Sequence, residues 1–265
     1  MFKTVVAIAI TTATVVGGGI LADFATSIYA EYRLSSTVRR TADLGSDPFV
    51  AIIAFPFIPQ ALRHRYRQVE IKANDVEHAE VGRATLEATM HSVDVTKASW
   101  LIRPTDPLTV ATLESRIIIS STRLGRYLGI PDLMVEAPPK EMDSSTGGST
   151  ASGISGNRGL IFSGTPSTAH FNKRVSVSLD LAIAPDDPAT LVFTPTSVVT
   201  GPETADQAVP DALRADVLHA FAARLPNQRL PFGVVPTTVG VRGSDVIIEG
   251  IASQSTVTLT EFKQS

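Results

Sequence analysis

The stretch RVSVSLDLAIAP, residues 174–185, sets Val175, Val177, Leu179, Leu181 and Ile183 against Ser176, Ser178, Asp180 and Ala182 in alternation. A period of two sends successive side chains to opposite faces of an extended backbone, so this segment is a strand with one face buried. The same pattern recurs to either side. QVEIKAND (68–75) alternates Val69, Ile71 and Ala73 with charged and amide residues, and ATLEATMHSV (84–93) places Leu86, Ala88 and Met90 opposite Thr85, Glu87, Thr89 and His91. RGLIFSGT (158–165) and TLVFTPTSVVT (190–200) add strands, with Pro195 predicting an edge or a bulge because it lacks a ladder donor. In VVPTTVGVRGSDVIIEGIAS (234–253), Gly243 and Ser244 sit between two β-rich runs as a hairpin turn.

Helical spacing is rarer. Phe24, Ile28, Tyr32, Val38 and Ala42 recur at helical intervals with Glu31, Arg33, Arg39 and Arg40 between them, which predicts an amphipathic helix ending near Gly45 and Pro48. ESRIIISSTRLGRYLGIPD (114–132) reads as a strand through Ile117–Ile119 and then a helical turn through Leu124, Tyr127 and Leu128, stopped by Gly129 and Pro131. A helix over 211–224 turns Leu213, Val217, Ala220, Phe221 and Leu225 to one side. Strands outnumber helices, so the fold class is α+β, a curved antiparallel sheet with helices laid on one face.

With 265 residues, 43% hydrophobic and 18% charged, the chain can bury a full core. A net charge of -3 and a sequence pI near 6.0 argue against a nucleic-acid partner, so any basic surface is local. The chain has no cysteine, which excludes disulfides, thiolate zinc sites and a cysteine nucleophile. The histidines, at 64, 78, 91, 170 and 219, form no HExxH pair, and neither GxGxxG nor GxSxG occurs. Asp186 and Asp187, flanked by Pro185 and Pro188, read as a turn rather than a catalytic pair. No catalytic residue, metal ligand or cofactor is nominated.

Val5 to Ala22 carries no charge and spans roughly 27 Å as a helix, close to a bilayer's hydrocarbon thickness. Lys3 ahead of it and Asp23 behind orient a span with the rest of the chain outside the cytoplasm. Residues 1–23 are therefore expected to be an N-terminal membrane anchor. The alternatives are a signal peptide cut near Ala25, Ser27 or Ala30, which would give a secreted protein, or a buried helix. Residues 24–265 follow as one extracytoplasmic domain. PKEMDSSTGGSTASGISGN (139–157) within it lacks apolar periodicity and predicts a flexible loop.

FPFIPQALRHRY (55–66) supports two readings. In one, a bend after a strand packs Phe55 and Phe57 in the core and leaves Arg63, His64 and Arg65 solvated. In the other, Phe55, Phe57, Ile58 and Leu62 form an apolar wedge beside Arg63, Arg65 and Arg67, whose planar forks suit a phosphate head group. Further apolar candidates for lipid contact are Leu124, Tyr127 and Leu128, then Leu213, Val217, Phe221 and Leu225, and Phe232.

FPFIPQALRHRYRQVEIKANDV (55–76) resembles the Phe-Pro-Phe signature and following strand of the LmeA-type phospholipid-binding family of the actinobacterial (mycobacterial) cell envelope. LPFGVVPTTVGVRGSDVIIEG (230–250) resembles the closing hairpin of that family, and the order of the two stretches is the same. Ala54 stands where the pattern has glycine, and the Ser/Gly loop is longer than usual. The resemblance implies a fold similar to tubular lipid-binding (TULIP-like) proteins, in which a curved sheet wraps a long helix around an apolar groove. It also implies phospholipid, possibly anionic, as partner at the outer face of the plasma membrane, and a link to assembly of the mannan of lipomannan and lipoarabinomannan. The alternative is a membrane-tethered, non-enzymatic scaffold that recruits envelope biosynthesis proteins.

Overall fold

The computed structural model describes residues 2–137 and 156–263 apart from 54, 98, 169 and 203, with side chains from residue 17 onward. In chain order the elements are α1 (Phe2–Thr41), β1 (Phe49–Ile52), α2 (Phe57–Arg63), β2 (Arg65–His78), β3 (Gly82–Asp94), β4 (Leu108–Ser120), α3 (Ser121–Leu128), β5 (Met134–Glu136), β6 (Leu160–Gly164), β7 (Val175–Ile183), β8 (Leu191–Val199), α4 (Asp211–Phe221), β9 (Ala223–Leu225), β10 (Thr238–Arg242) and β11 (Asp245–Val257). The fold is α+β. A six-stranded sheet has the order β1-β2-β3-β4-β11-β10 and a five-stranded sheet the order β5-β6-β7-β8-β9. The β1/β2, β10/β11 and successive β5 to β9 pairings are antiparallel.

Two compact units divide the chain, the first of Met1–Ala73, Ala88–Leu113 and Ser253–Lys263, the second of Asn74–Glu87, Glu114–Ala252 and Gln264–Ser265. The division falls within β2, β3, β4 and β11, and α1 runs unbroken through residue 23.

In the second unit β7 obeys the period of two from Val177 to Leu181, whereas β6 is buried along its whole length. Val175, Val177, Leu179 and Leu181 of β7 are buried, as are Leu160 and Phe162 of β6 and Phe193 of β8, and the Phe162 and Phe193 rings meet 6.0 Å apart. Pro195 sits at a bulge: Ser178 pairs with Ser197 but Leu179 pairs with Pro195, so Thr196 is extra in the ladder. Gly129 ends α3 with φ +72°, a left-handed cap that only glycine adopts without strain. The hairpin turn falls at Gly243, φ +63°. One sequence expectation is corrected here. The fourth helix ends at Phe221, and Leu225 lies on β9 opposite Leu191, because Ala222 turns to extended geometry and the chain joins the sheet edge.

In the first unit, α1 buries Ala30, Leu34 and Val38, a stripe at intervals of four that Ala42 continues in the turn just past the helix end. Phe24, Ile28 and Tyr32 lie on a different side and are exposed, so the apolar positions expected to form one stripe belong to two. Among the described residues, no helix is long and apolar enough to cross a membrane. Most of the span expected over residues 5–22 lies outside the described side chains, and the loop expected over 139–157 lies outside the described residues except for 156 and 157. Asn157 is tied to β7 twice: its side-chain amide donates to the Leu181 carbonyl at 2.9 Å, and its backbone carbonyl accepts the Leu181 N–H at 2.7 Å.

Candidate functional site

The Phe-Pro-Phe stretch is fixed from three directions, all within the first unit. Asp23, buried to 6% exposure on α1, accepts the backbone N–H groups of Phe57 and Ile58, each at 2.7 Å. These amides open α2 and have no carbonyl a turn earlier to serve, so the carboxylate acts as a cap delivered from another helix. The Phe55–Pro56 peptide bond is cis. At the far end, His64 adopts the left-handed conformation, φ 54°, donates its N–H to the Ala61 carbonyl and accepts the Val95 N–H at 2.8 Å. The third direction is the Phe57 ring, 1% exposed, which stacks on Tyr66 at 5.9 Å. The Tyr66 hydroxyl donates to the Trp100 carbonyl at 2.8 Å, and burial pushes its pKa up to about 12.

The two phenylalanines of the motif therefore have different situations. Phe57 is core, and Phe55 is 64% exposed and stacks on Phe24, itself 53% exposed, with centroids 5.7 Å apart. Leu21, Phe24, Ile28 and Tyr32 recur at intervals of three and four on α1, and all are exposed. Ile58 is half-buried and Leu62 is 76% exposed. The three arginines differ as well. Arg65 pairs with Asp94 at 3.1 Å, and Arg63 and Arg67 are exposed. The hydroxyl and N–H of Thr96, with Arg65, hold the Asp94 carboxyl below its usual range.

The other candidates belong to the second unit. Leu124, Val217, Phe221, Leu225 and Phe232 are buried there, while Tyr127, Leu128 and Leu213 are half-buried. Tyr127 donates its hydroxyl to the Arg224 carbonyl at 2.7 Å. Phe232, φ 59°, belongs to the segment that crosses β11 at Gly250. A Cβ on Gly250 would meet the Val235 carbonyl oxygen and fall 2.8 Å from Leu230 Cδ1, so glycine there permits the close approach.

A cavity of about 420 Å³ opens in the first unit between α1 and the 99–104 segment. Arg33, Thr37, Arg40 and Thr41 line it from α1, and Ser99, Trp100 and Arg103 line it from the segment that Tyr66 holds. Leu34, Ile52 and Ile102 supply apolar wall. None of the cavity residues was singled out from sequence as a site. Arg33, Thr37, Arg40 and Thr41 do share one helical face at intervals of four, three and one, a signal that was available. Trp100 and Arg103 reach that face only through the fold.

The family model for LmeA-like phospholipid-binding proteins matches residues 21–251 of the 265. The chain belongs to that family. The match begins just ahead of Asp23 and takes in the Phe-Pro-Phe motif, the cavity and the closing hairpin. No curated protein and no solved structure matches the chain.

Proposed function

We propose that this chain binds phospholipid without catalysing a reaction, at the outer face of the plasma membrane, and that it meets the lipid through the exposed apolar face of α1 and the Phe55 wedge. The observation that carries this is the stacked pair Phe24 and Phe55, both more than half exposed, in line with Leu21, Ile28 and Tyr32. Soluble monomers rarely leave a contiguous aromatic and aliphatic surface in water, and a membrane or a lipid tail is the apolar phase such a surface fits. Burying about ten acyl methylenes gains roughly 8 kcal/mol before ordering costs, enough to hold one lipid against water. Exposed Arg63, next to Leu62 at the end of α2, and exposed Arg67 on β2 favour an anionic surface. The antiparallel sheets and the long α1 are consistent with a tubular lipid-binding fold, and family membership supports phospholipid binding; a role in envelope lipid or lipoglycan (mannan) assembly is the further part of this proposal.

The proposal includes retention of residue 23 in the mature chain, because a cut near Ala25 or Ala30 would remove the carboxylate that caps α2 and the ring that stacks on Phe55. Intact mass of protein from native membranes tests this, and a mature N-terminus beyond residue 23 contradicts it. Lipid contact is tested by flotation with phosphatidylglycerol vesicles. Phe24→Asp combined with Phe55→Asp abolishes flotation and leaves the melting temperature within a few degrees, since both rings are exposed. Unchanged flotation of that folded variant removes the surface from the site.

A further inference from the structure

The cavity beside α1 has a charge composition that packing does not require. Three of its lining residues are arginines, Arg33, Arg40 and Arg103, and none is aspartate or glutamate, in a chain whose net charge is -3. Among the described residues no carboxylate pairs with these three guanidinium groups. Some arginines elsewhere do have such partners: Arg39, one residue from Arg40, pairs with Asp47 at 3.4 Å, Arg174 with Asp132 at 3.1 Å, and Arg224 with Asp186 at 2.9 Å. Arg33, Arg40 and Arg103 are exposed, so water screens their mutual repulsion, and an anion seated among them in the hollow of about 420 Å³ adds attraction.

The donor chemistry points the same way. Arg40 uses Nε on the Ser36 carbonyl at 3.2 Å, which leaves its terminal nitrogens for a ligand. The Ser99 hydroxyl accepts the Leu101 N–H at 3.3 Å and keeps its own proton to donate. Planar guanidinium forks match the oxygens of a phosphate better than they match any neutral group. Leu34, Ile52 and Ile102 make the rest of the wall apolar, so the site suits an anion with a hydrophobic continuation.

We infer that this cavity is a binding site for a phosphate-bearing anion, and that its ligand is the phosphodiester head group of an anionic phospholipid. The inference rests on the phospholipid reading above and adds which end of the molecule the first unit recognises and with which residues. Arg33 and Arg40 grip the phosphate from α1, and Arg103 closes on it from the segment held by Tyr66.

Trp100, the chain's one tryptophan, lines the cavity, so its fluorescence reports occupancy directly. The full chain is titrated with monomeric dihexanoyl phosphatidylglycerol and, separately, with sn-glycerol 3-phosphate. The phosphatidylglycerol produces a saturable change in Trp100 emission at least tenfold tighter than glycerol phosphate does. Arg33→Gln with Arg40→Gln weakens it at least tenfold, and Arg39→Gln, which removes an equal charge from outside the cavity, changes it less than twofold. Equal affinity for glycerol phosphate overturns the lipid source and assigns the site to a soluble phosphate. No response of Trp100 to either ligand, or an unaltered response in the double variant, overturns the anion site. If the double variant melts early, Arg103→Gln on the facing segment replaces it, with the same weakening expected. Native mass spectrometry separates the two claims. Phospholipid retained on the wild type and equally on the double variant refutes the head-group assignment alone, whereas a wild type carrying no lipid refutes the phospholipid reading itself.

Discussion

Asp23 ties the Phe-Pro-Phe motif to α1, and removing its carboxylate should show how much that tie stabilises the first unit. Asp23→Ala deletes two acceptors at 2.7 Å and leaves the Phe57 and Ile58 amides without a protein partner. A buried amide left unsatisfied costs about 1–3 kcal/mol, and loss of a helix cap about 0.5–2 kcal/mol. Phe57 N–H is buried, whereas Ile58 is half-buried and water relieves part of its loss. The expected destabilisation is therefore about 2–3 kcal/mol, a fall in melting temperature of roughly 4–12 °C for a chain of this size. Asp23→Asn keeps one acceptor oxygen but turns an NH2 toward the second amide, so about half the effect remains. Urea unfolding followed by Trp100 emission reads the first unit directly, and Asp216→Asn on the exposed side of α4 serves as the control. A loss below about 0.5 kcal/mol for Asp23→Ala, or no difference from the control, would refute the capping argument and the case for retaining residue 23 that rests on it.

Three further outcomes follow. Phe57→Ala should cost about 3–5 kcal/mol in the same urea assay, because it opens a cavity against Tyr66, while Phe55→Ala should stay within about 1 kcal/mol; equal costs would mean that the two rings share one environment. Burial lowers the pKa of His78 below its ordinary 6.5, so the unfolded chain binds the proton more readily. Its contribution is complete above about pH 6.5 and is lost as pH falls below that value, so His78→Asn, which keeps an acceptor for the Glu80 N–H, should flatten the acid side of the melting-temperature profile. An acid slope as steep as the wild type's would show that another group dominates.

The strands were legible because a period of two leaves one explanation: the β7 alternation, the Pro195 bulge and the Gly243 turn each follow from local chemistry. The faces of α1 were not legible. Phe24, Ile28 and Tyr32 share helical spacing with a core stripe, and only the position of β1 and α2 decides that Leu34 and Val38 face inward instead. Phe55 and Phe57 were grouped together in both readings, as core or as wedge, yet the chain at Pro56 sends one ring to Tyr66 and the other to Phe24. Asp23 was read as the flank of an apolar run, since its partners lie 34 and 35 residues away. The half-buried ion cluster of Arg116 with Glu114 and Glu249 was hidden for the same reason: β4 and β11 are neighbours in the sheet but 133 residues separate Arg116 from Glu249. Long-range pairing decided the candidate site as well, because the cavity's two walls come from α1 and a segment about sixty residues on.

The central claim is that the chain holds a phospholipid, and native mass spectrometry of protein purified gently from membranes tests it most directly. The account predicts a mass excess of one phospholipid, released on activation and identified as a glycerophospholipid, present on the wild type and sharply reduced on the folded Phe24→Asp, Phe55→Asp variant. A wild-type protein whose intact mass equals that of its polypeptide alone, and which still takes up no phospholipid when offered vesicles, would contradict it.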